Sequence, residues 1–193
     1  MWRNLETVLS LIKIKTGFMK LILTLMTFGV FTFAQTSTEK KIGVEIDGDF
    51  LGDGKKITAT AIKTKEEKGN PIEDGTPAEY EIRFSDNKIK PIKAGCCEII
   101  LINEGDLNND GKDEISVYQA PMNGCTYAMT TSSFTNGNWK KTVDTFLIPT
   151  GCEVIINADL QKMVFRENKQ IYYLEKDMSD ENGKLIKKKV KEK

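Results

Sequence analysis

The 193-residue sequence contains no histidine. Nucleophilic catalysis of the Ser-His-Asp and Cys-His kinds is therefore excluded, because an imidazole must take the proton from the nucleophile. Zinc sites with histidine ligands are excluded too, as is the side chain that ordinarily changes its charge near neutral pH. These absences predict a protein that is not an enzyme.

A surplus of charge of either sign is also absent, since 28 basic residues balance 28 acidic ones. A protein that grips a phosphate backbone needs clustered lysine and arginine, so the balance predicts no nucleic-acid partner. The local exception is the segment 184–193, with six lysines in ten residues. Such a tail suits anionic lipid or polysaccharide; the alternative is an edge strand that its lysines protect from aggregation.

Helical periodicity is missing beyond residue 34, where short apolar runs alternate with turn signals such as Asn136-Gly137. This pattern is typical of an all-β domain. Antiparallel meander sheets are expected, blade-like or as a twisted sandwich, in a chain too short for a closed propeller. The predicted strands are 42–46, 57–64, 79–84, 98–103, 113–119, 126–134, 139–148, 162–165, 170–175 and 184–190.

The N-terminal region has the layout of a targeting segment. Lys20 precedes the apolar run 21–34, which is shorter than the roughly 20 residues needed to span a bilayer. The run ends in a small residue, Ala34, as a secretory signal peptide does; an uncleaved anchor is the alternative. We expect a periplasmic or secreted protein without a membrane span after cleavage. Three parts are predicted: an upstream extension (1–18), a signal peptide (19–34) and one all-β domain (35–193).

Four cysteines in an exported chain predict two disulfides. Cys96 and Cys97 are adjacent, and we expect them not to bridge each other. A meander through 98–148 places both of them at the same end as Cys125 and Cys152. The sequence therefore predicts that each bridge joins one of the adjacent pair to one of the other two; zinc held by cysteines is the alternative.

Oxygen-bearing side chains alternate along the segment 105–114. Calcium takes six to eight oxygen ligands, which a short loop supplies when it curls around the ion. Gly111 permits the sharp turn, because it has no Cβ. The bland alternative is an Asn-Asp-Gly turn that needs no metal. The candidate ligands of a weak Ca²⁺ site are Asp106, Asn108, Asp110, Lys112 (through its carbonyl) and Glu114.

A degraded copy of this stretch occupies residues 48–57, at an offset of 57 residues. Asp49 and Asp53 correspond to two of the candidate ligands. Leu51 and Ile57 stand where the other copy has Asn108 and a carboxylate. We expect this copy to keep the shape of the turn without binding an ion.

The segment Gly105–Ile115 resembles the FG-GAP/VCBS type of repeat, found in integrin heads and many secreted bacterial proteins. The resemblance implies that Asp106, Asn108, Asp110 and Glu114 bind Ca²⁺ between two strands, and it extends weakly to 48–57. The Phe-Gly and Gly-Ala-Pro signatures of the repeat are missing, and the chain is too short for the family's closed ring. The remainder resembles small exported proteins of Gram-negative bacteria, which implies a location but not an activity.

The sequence favours a calcium-stabilised β-sheet module that interacts with a protein or glycan at the cell surface. A glycosidase-like hydrolase is the first alternative, because such enzymes need only two suitably spaced carboxyls. Its candidate carboxylates are Asp106, Asp110, Asp113 and Glu114. A lysine-tail binder of anionic surface polymers is the second alternative.

Overall fold

The computed structural model of the chain describes residues 39–177, 179–180 and 183–191. The predicted upstream extension and signal peptide lie outside the described residues. Contacts group Glu39–Lys193 into one unit. Among the described residues, no helix has both the length and the apolar character needed to cross a membrane.

Short antiparallel strands make up most of the described chain, as the sequence predicted. The short apolar runs become strands, and the Gly- and Asn-rich segments between them become turns. The elements are β1 (Ile42–Gly43), β2 (Glu45–Gly48), β3 (Ile57–Lys65), β4 (Glu79–Phe84), β5 (Ile92–Gly95), β6 (Ile99–Gly105), β7 (Glu114–Gln119), β8 (Thr126–Thr135), β9 (Asn138–Pro149), α1 (Asn157–Leu160), β10 (Val164–Glu167), β11 (Gln170–Lys176) and β12 (Leu185–Lys189).

The strands form three antiparallel sheets. A central five-stranded sheet has the order β1-β6-β7-β8-β9, a second sheet runs β2-β3-β4-β5, and a third runs β10-β11-β12. Within the described residues none of the three closes into a barrel or propeller. The predicted meander through 98–148 is confirmed as β6 to β9.

The central sheet is covered on both faces, because two hydrophobic cores flank it. The first core joins it to the four-stranded sheet and includes Phe50, Ile82 and Leu101. The second core joins its other face to the three-stranded sheet and includes Ile102 and Val164. Since neighbouring residues of a strand point to opposite faces, the continuous apolar run of β6 serves both cores.

Two elements were not predicted. β5 is only four residues long and directly follows Pro91, so its sequence carries little strand signal. The single turn of α1 lacks a side-chain cap, and Leu160 anchors it in the second core. Tertiary packing, rather than local propensity, holds both elements in place.

The prediction of two disulfides is confirmed, but the predicted pairing is wrong. Cys125 is bonded to Cys152, with their Cα atoms 4.7 Å apart, and Cys96 is bonded to its neighbour Cys97. Cys125 and Cys152 flank β8 and β9, which are hydrogen-bonded neighbours. β6, which follows the adjacent cysteines, lies two strands from β8, or about 10 Å across the sheet. That separation exceeds the usual Cα–Cα reach of a disulfide.

Candidate metal centre

The predicted cation loop, here called the second loop (105–114), connects β6 to β7. Asp106 accepts hydrogen bonds from the backbone N–H groups of Asp110 at 3.1 Å and Gly111 at 3.0 Å. Asp110 in turn accepts the N–H of Lys112 at 3.0 Å. Gly111 has φ of +85°, which a residue with a Cβ adopts only under strain. The aspartates therefore curl the backbone by binding its own amides.

Glu114 closes the second loop from inside the protein. Its side chain is fully buried. Its Oε2 accepts the N–H of Leu107 at 2.7 Å, and its Oε1 accepts a hydrogen bond from the side-chain amide of Asn108 at 2.8 Å. Burial raises the pKa of Glu114 to about 7, although the hydrogen bond from Leu107 acts in the opposite direction.

The donor set of the second loop suits a hard cation, since it consists of carboxylate, amide and carbonyl oxygens. Asp106 uses two hydrogen bonds of the roughly four lone-pair sites that a carboxylate offers, so sites for an ion remain. The described residues nevertheless contain no group of three or more His, Cys, Asp or Glu side chains placed to hold a metal. Asp106, Asn108, Asp110 and the Lys112 carbonyl are the groups that would hold a cation, whereas Glu114 already accepts hydrogen bonds from Leu107 and Asn108.

The first loop (48–57), which connects β2 to β3, repeats the same backbone hydrogen bonds. Asp49 accepts the N–H groups of Asp53 at 3.1 Å and Gly54 at 2.8 Å. Asp53 accepts the N–H of Lys55 at 3.1 Å. Each contact lies 57 residues before its counterpart in the second loop. The correspondence that the sequence predicted therefore extends to the hydrogen bonds.

The two loops differ at the positions where the sequence replaces a ligand with an aliphatic residue. Ile57 pairs across its hairpin with Gly48, in the same register as Glu114 with Gly105. Ile57 is 4% exposed and packs in the first core, whereas Glu114 is buried on the opposite side of the central sheet. The same backbone turn therefore has a buried apolar side chain, Ile57, in the first loop and a buried carboxylate, Glu114, in the second. We call this buried residue the anchor of the loop.

The loops also bind each other, which the sequence did not reveal. The N–H of Asp49 donates to Asp113 Oδ2 at 2.8 Å, and the N–H of Asp113 donates to the Asp49 carbonyl at 2.9 Å. Asn103 joins them, donating to Asp113 at 3.0 Å and to the Asp47 carbonyl at 2.7 Å. A Cβ on Gly52 would lie only 2.9 Å from the Gly111 carbonyl. The two loops are therefore fixed side by side.

Within the lysine-rich segment, Leu185–Lys189 forms the strand β12 of the three-stranded sheet. In β12, Lys187 lies 4.1 Å from the ring centroid of Tyr172 and also pairs with Glu167. Lys188 pairs with Glu175 at 2.9 Å. These contacts favour the edge-strand alternative over a free tail.

No protein-family model matches the chain, and neither does a curated protein or a solved structure. The function must therefore be inferred from the loops and the surfaces around them.

Proposed function

We propose that the protein is an exported β-sheet module that binds a partner at the cell surface. In this proposal, Ca²⁺ bound in the second loop stabilises the module. The observation that carries this proposal is the matched pair of loops. Both have the same backbone hydrogen bonds, but the second has Asn108 and Glu114 where the first has Leu51 and Ile57. Since the first loop builds the same turn with aliphatic residues at these two positions, the amide and the carboxylate of the second loop favour a cation.

The surroundings of Glu114 support the proposal. A buried carboxylate is costly unless an opposite charge compensates it. The other buried glutamate of the central sheet, Glu104, pairs with Lys40, which also donates to the Val164 carbonyl of the second core at 2.5 Å. No described lysine or arginine forms an ion pair with Glu114. A cation in the loop would supply the missing positive charge.

The geometry gives less support to a hydrolase. Two carboxyls must face one substrate bond in a glycosidase. Glu114 is fully buried, and Asp113 uses its side chain to bind the first loop. Asp106 and Asp110 each bind backbone amides of their own loop.

The test is thermal unfolding of the purified protein with millimolar Ca²⁺ and with a chelator. An ion that binds only the folded chain raises the melting temperature by mass action. We expect a higher melting temperature with Ca²⁺, and a smaller shift with Mg²⁺, which demands stricter octahedral geometry. Identical melting curves in all three conditions would falsify the calcium proposal.

A further inference from the structure

A cavity of about 410 Å³ opens beside the second loop. Five parts of the chain meet there: the second loop, β9, the turn between β10 and β11, the start of β11, and the residues that follow β12. Its volume lies within the range of small-ligand pockets. The cavity is thus large enough for one or two sugar rings.

Positive charge dominates the lining of this cavity. Lys141, Lys169 and Lys191 come from three different parts of the chain, and no aspartate or glutamate among the described residues lines the cavity. Lys169 and Lys191 are exposed, and neither belongs to an ion pair of the described residues. The amine of Lys141 donates to the Thr145 hydroxyl at 3.0 Å. Three cations gathered around one opening, in a chain without net charge, favour a negatively charged ligand.

The other lining residues suit a hydroxylated ring. Thr142 offers a hydroxyl group and Gln170 an amide, while Ile171 offers apolar surface. A sugar presents the same combination, with hydroxyl groups at its edge and C–H groups on its faces.

In a second cavity of this protein, nearby carboxylates offset the positive charge of the lining lysines. Lys55 and Lys56 line a cavity of about 450 Å³ near the first loop, but Asp86 lines it as well. Asp53 also lies 3.7 Å from the Lys55 amine. Both cavities contain lysines, but among the described residues only the cavity near the first loop also has a lining carboxylate.

We propose that the lysine-lined cavity beside the second loop binds an acidic sugar, with its anionic group among Lys141, Lys169 and Lys191. This inference rests on the proposed function, since it names the ligand class of the binding module. Lysine binds carboxylate and phosphate alike as a point charge, so the shared chemistry is an anionic, hydroxylated ring. A hexuronate and a sugar phosphate are its two sources.

The experiment is a heteronuclear NMR titration of the full chain with galacturonate, glucose 6-phosphate, galactose and inorganic phosphate. We expect one or both acidic sugars to shift the amides of residues 107–108, 141–142 and 169–171, and to bind more tightly than galactose or phosphate. The ligand that binds more tightly identifies the source. The double variant Lys169→Glu/Lys191→Glu should weaken binding about tenfold or more, because it reverses two charges at the site.

Lys56→Glu is the matched control, a charge reversal at the other lysine-bearing cavity, and should leave binding unchanged. Lys56, Lys169 and Lys191 are all exposed, so the variants should melt close to the wild type. The inference is overturned if neither acidic sugar binds, if galactose binds equally well, or if inorganic phosphate does, which would mean an adventitious anion site only. Equal weakening by Lys56→Glu also overturns it.

Repeating the titration in Ca²⁺ and in chelator separates this inference from the proposed function. A calcium-dependent melting temperature without sugar binding rejects the cavity and keeps the calcium module. Sugar binding without any effect of Ca²⁺ on melting rejects the calcium loop and keeps the cavity.

Discussion

The two loops show how one turn can be anchored in two ways. Asp49 and Asp106, which are 57 residues apart, each accept hydrogen bonds from the backbone N–H groups four and five residues later. The anchoring side chain is the aliphatic Ile57 in the first loop and the carboxylate of Glu114 in the second, and both are buried. Turn geometry therefore depends on the leading aspartate and the glycine, while the anchor position is open to another purpose. Cation binding is the purpose that we propose for it.

The largest expected effect comes from making the first loop resemble the second at its anchor. Ile57→Glu places a carboxylate at a position that is 4% exposed and packs in the first core. We expect a loss of about 3–5 kcal/mol in the free energy of unfolding, because an uncompensated buried charge costs that much. Urea denaturation measures it, with Ile57→Val as the control at about 1 kcal/mol. Similar losses for the two variants would mean that the first loop accepts a carboxylate anchor too.

The pH dependence of stability should report the anchor of the second loop. The pKa of Glu114 is raised by burial from its ordinary 4.5 to about 7, so the folded chain binds this proton more tightly than the unfolded chain. In chelator, the contribution of Glu114 to stability should therefore be fully present below about pH 4.5, fall as the pH rises from about 4.5 to about 7, and level off above it. The shift corresponds to a contribution of about 3 kcal/mol.

Glu114→Gln is the control for this dependence, since the amide keeps the shape and does not titrate. Denaturation midpoints measured across the same window should be flatter in the variant than in the wild type. Parallel pH profiles would show that another group is responsible.

The sequence revealed the loops because their chemistry is local. Alternating oxygen side chains and a following glycine predict the turn, and the offset of 57 residues predicts the correspondence. The sequence did not predict the contacts between segments that are distant along the chain. The sequence marks Asp113 only as one of several crowded carboxylates, whereas its partner Asp49 lies 64 residues earlier. The pairing of Cys125 with Cys152 likewise depends on which strands are neighbours, and the spacing of cysteines along the chain does not encode that.

The gain in stability on adding Ca²⁺ should depend on Asp110 in the second loop but not on its counterpart in the first loop, Asp53. Asp110→Ala and Asp53→Ala each remove the same hydrogen bond to the backbone two residues later, so their losses in chelator should be similar, about 1 kcal/mol each. At a hundredfold excess of Ca²⁺ over its Kd, binding adds about 2.7 kcal/mol. Asp110→Ala should abolish this gain, and Asp53→Ala should keep it. Equal calcium responses in the two variants would mean that the second loop is a turn without an ion.

The smallest effect concerns the contact between the loops. Asp113→Ala removes the acceptor for the Asp49 N–H and for Asn103, while the Asp113 N–H still reaches the Asp49 carbonyl. We expect a loss of about 1–2 kcal/mol, because a partly buried donor is left without its partner. Asp113→Asn keeps an oxygen at the same place and should recover most of the loss. If both variants cost the same, the charge of Asp113 matters more than its hydrogen bonds. If neither lowers stability, the loops lie side by side without holding each other, and the first core that the two hairpins share is what keeps them together.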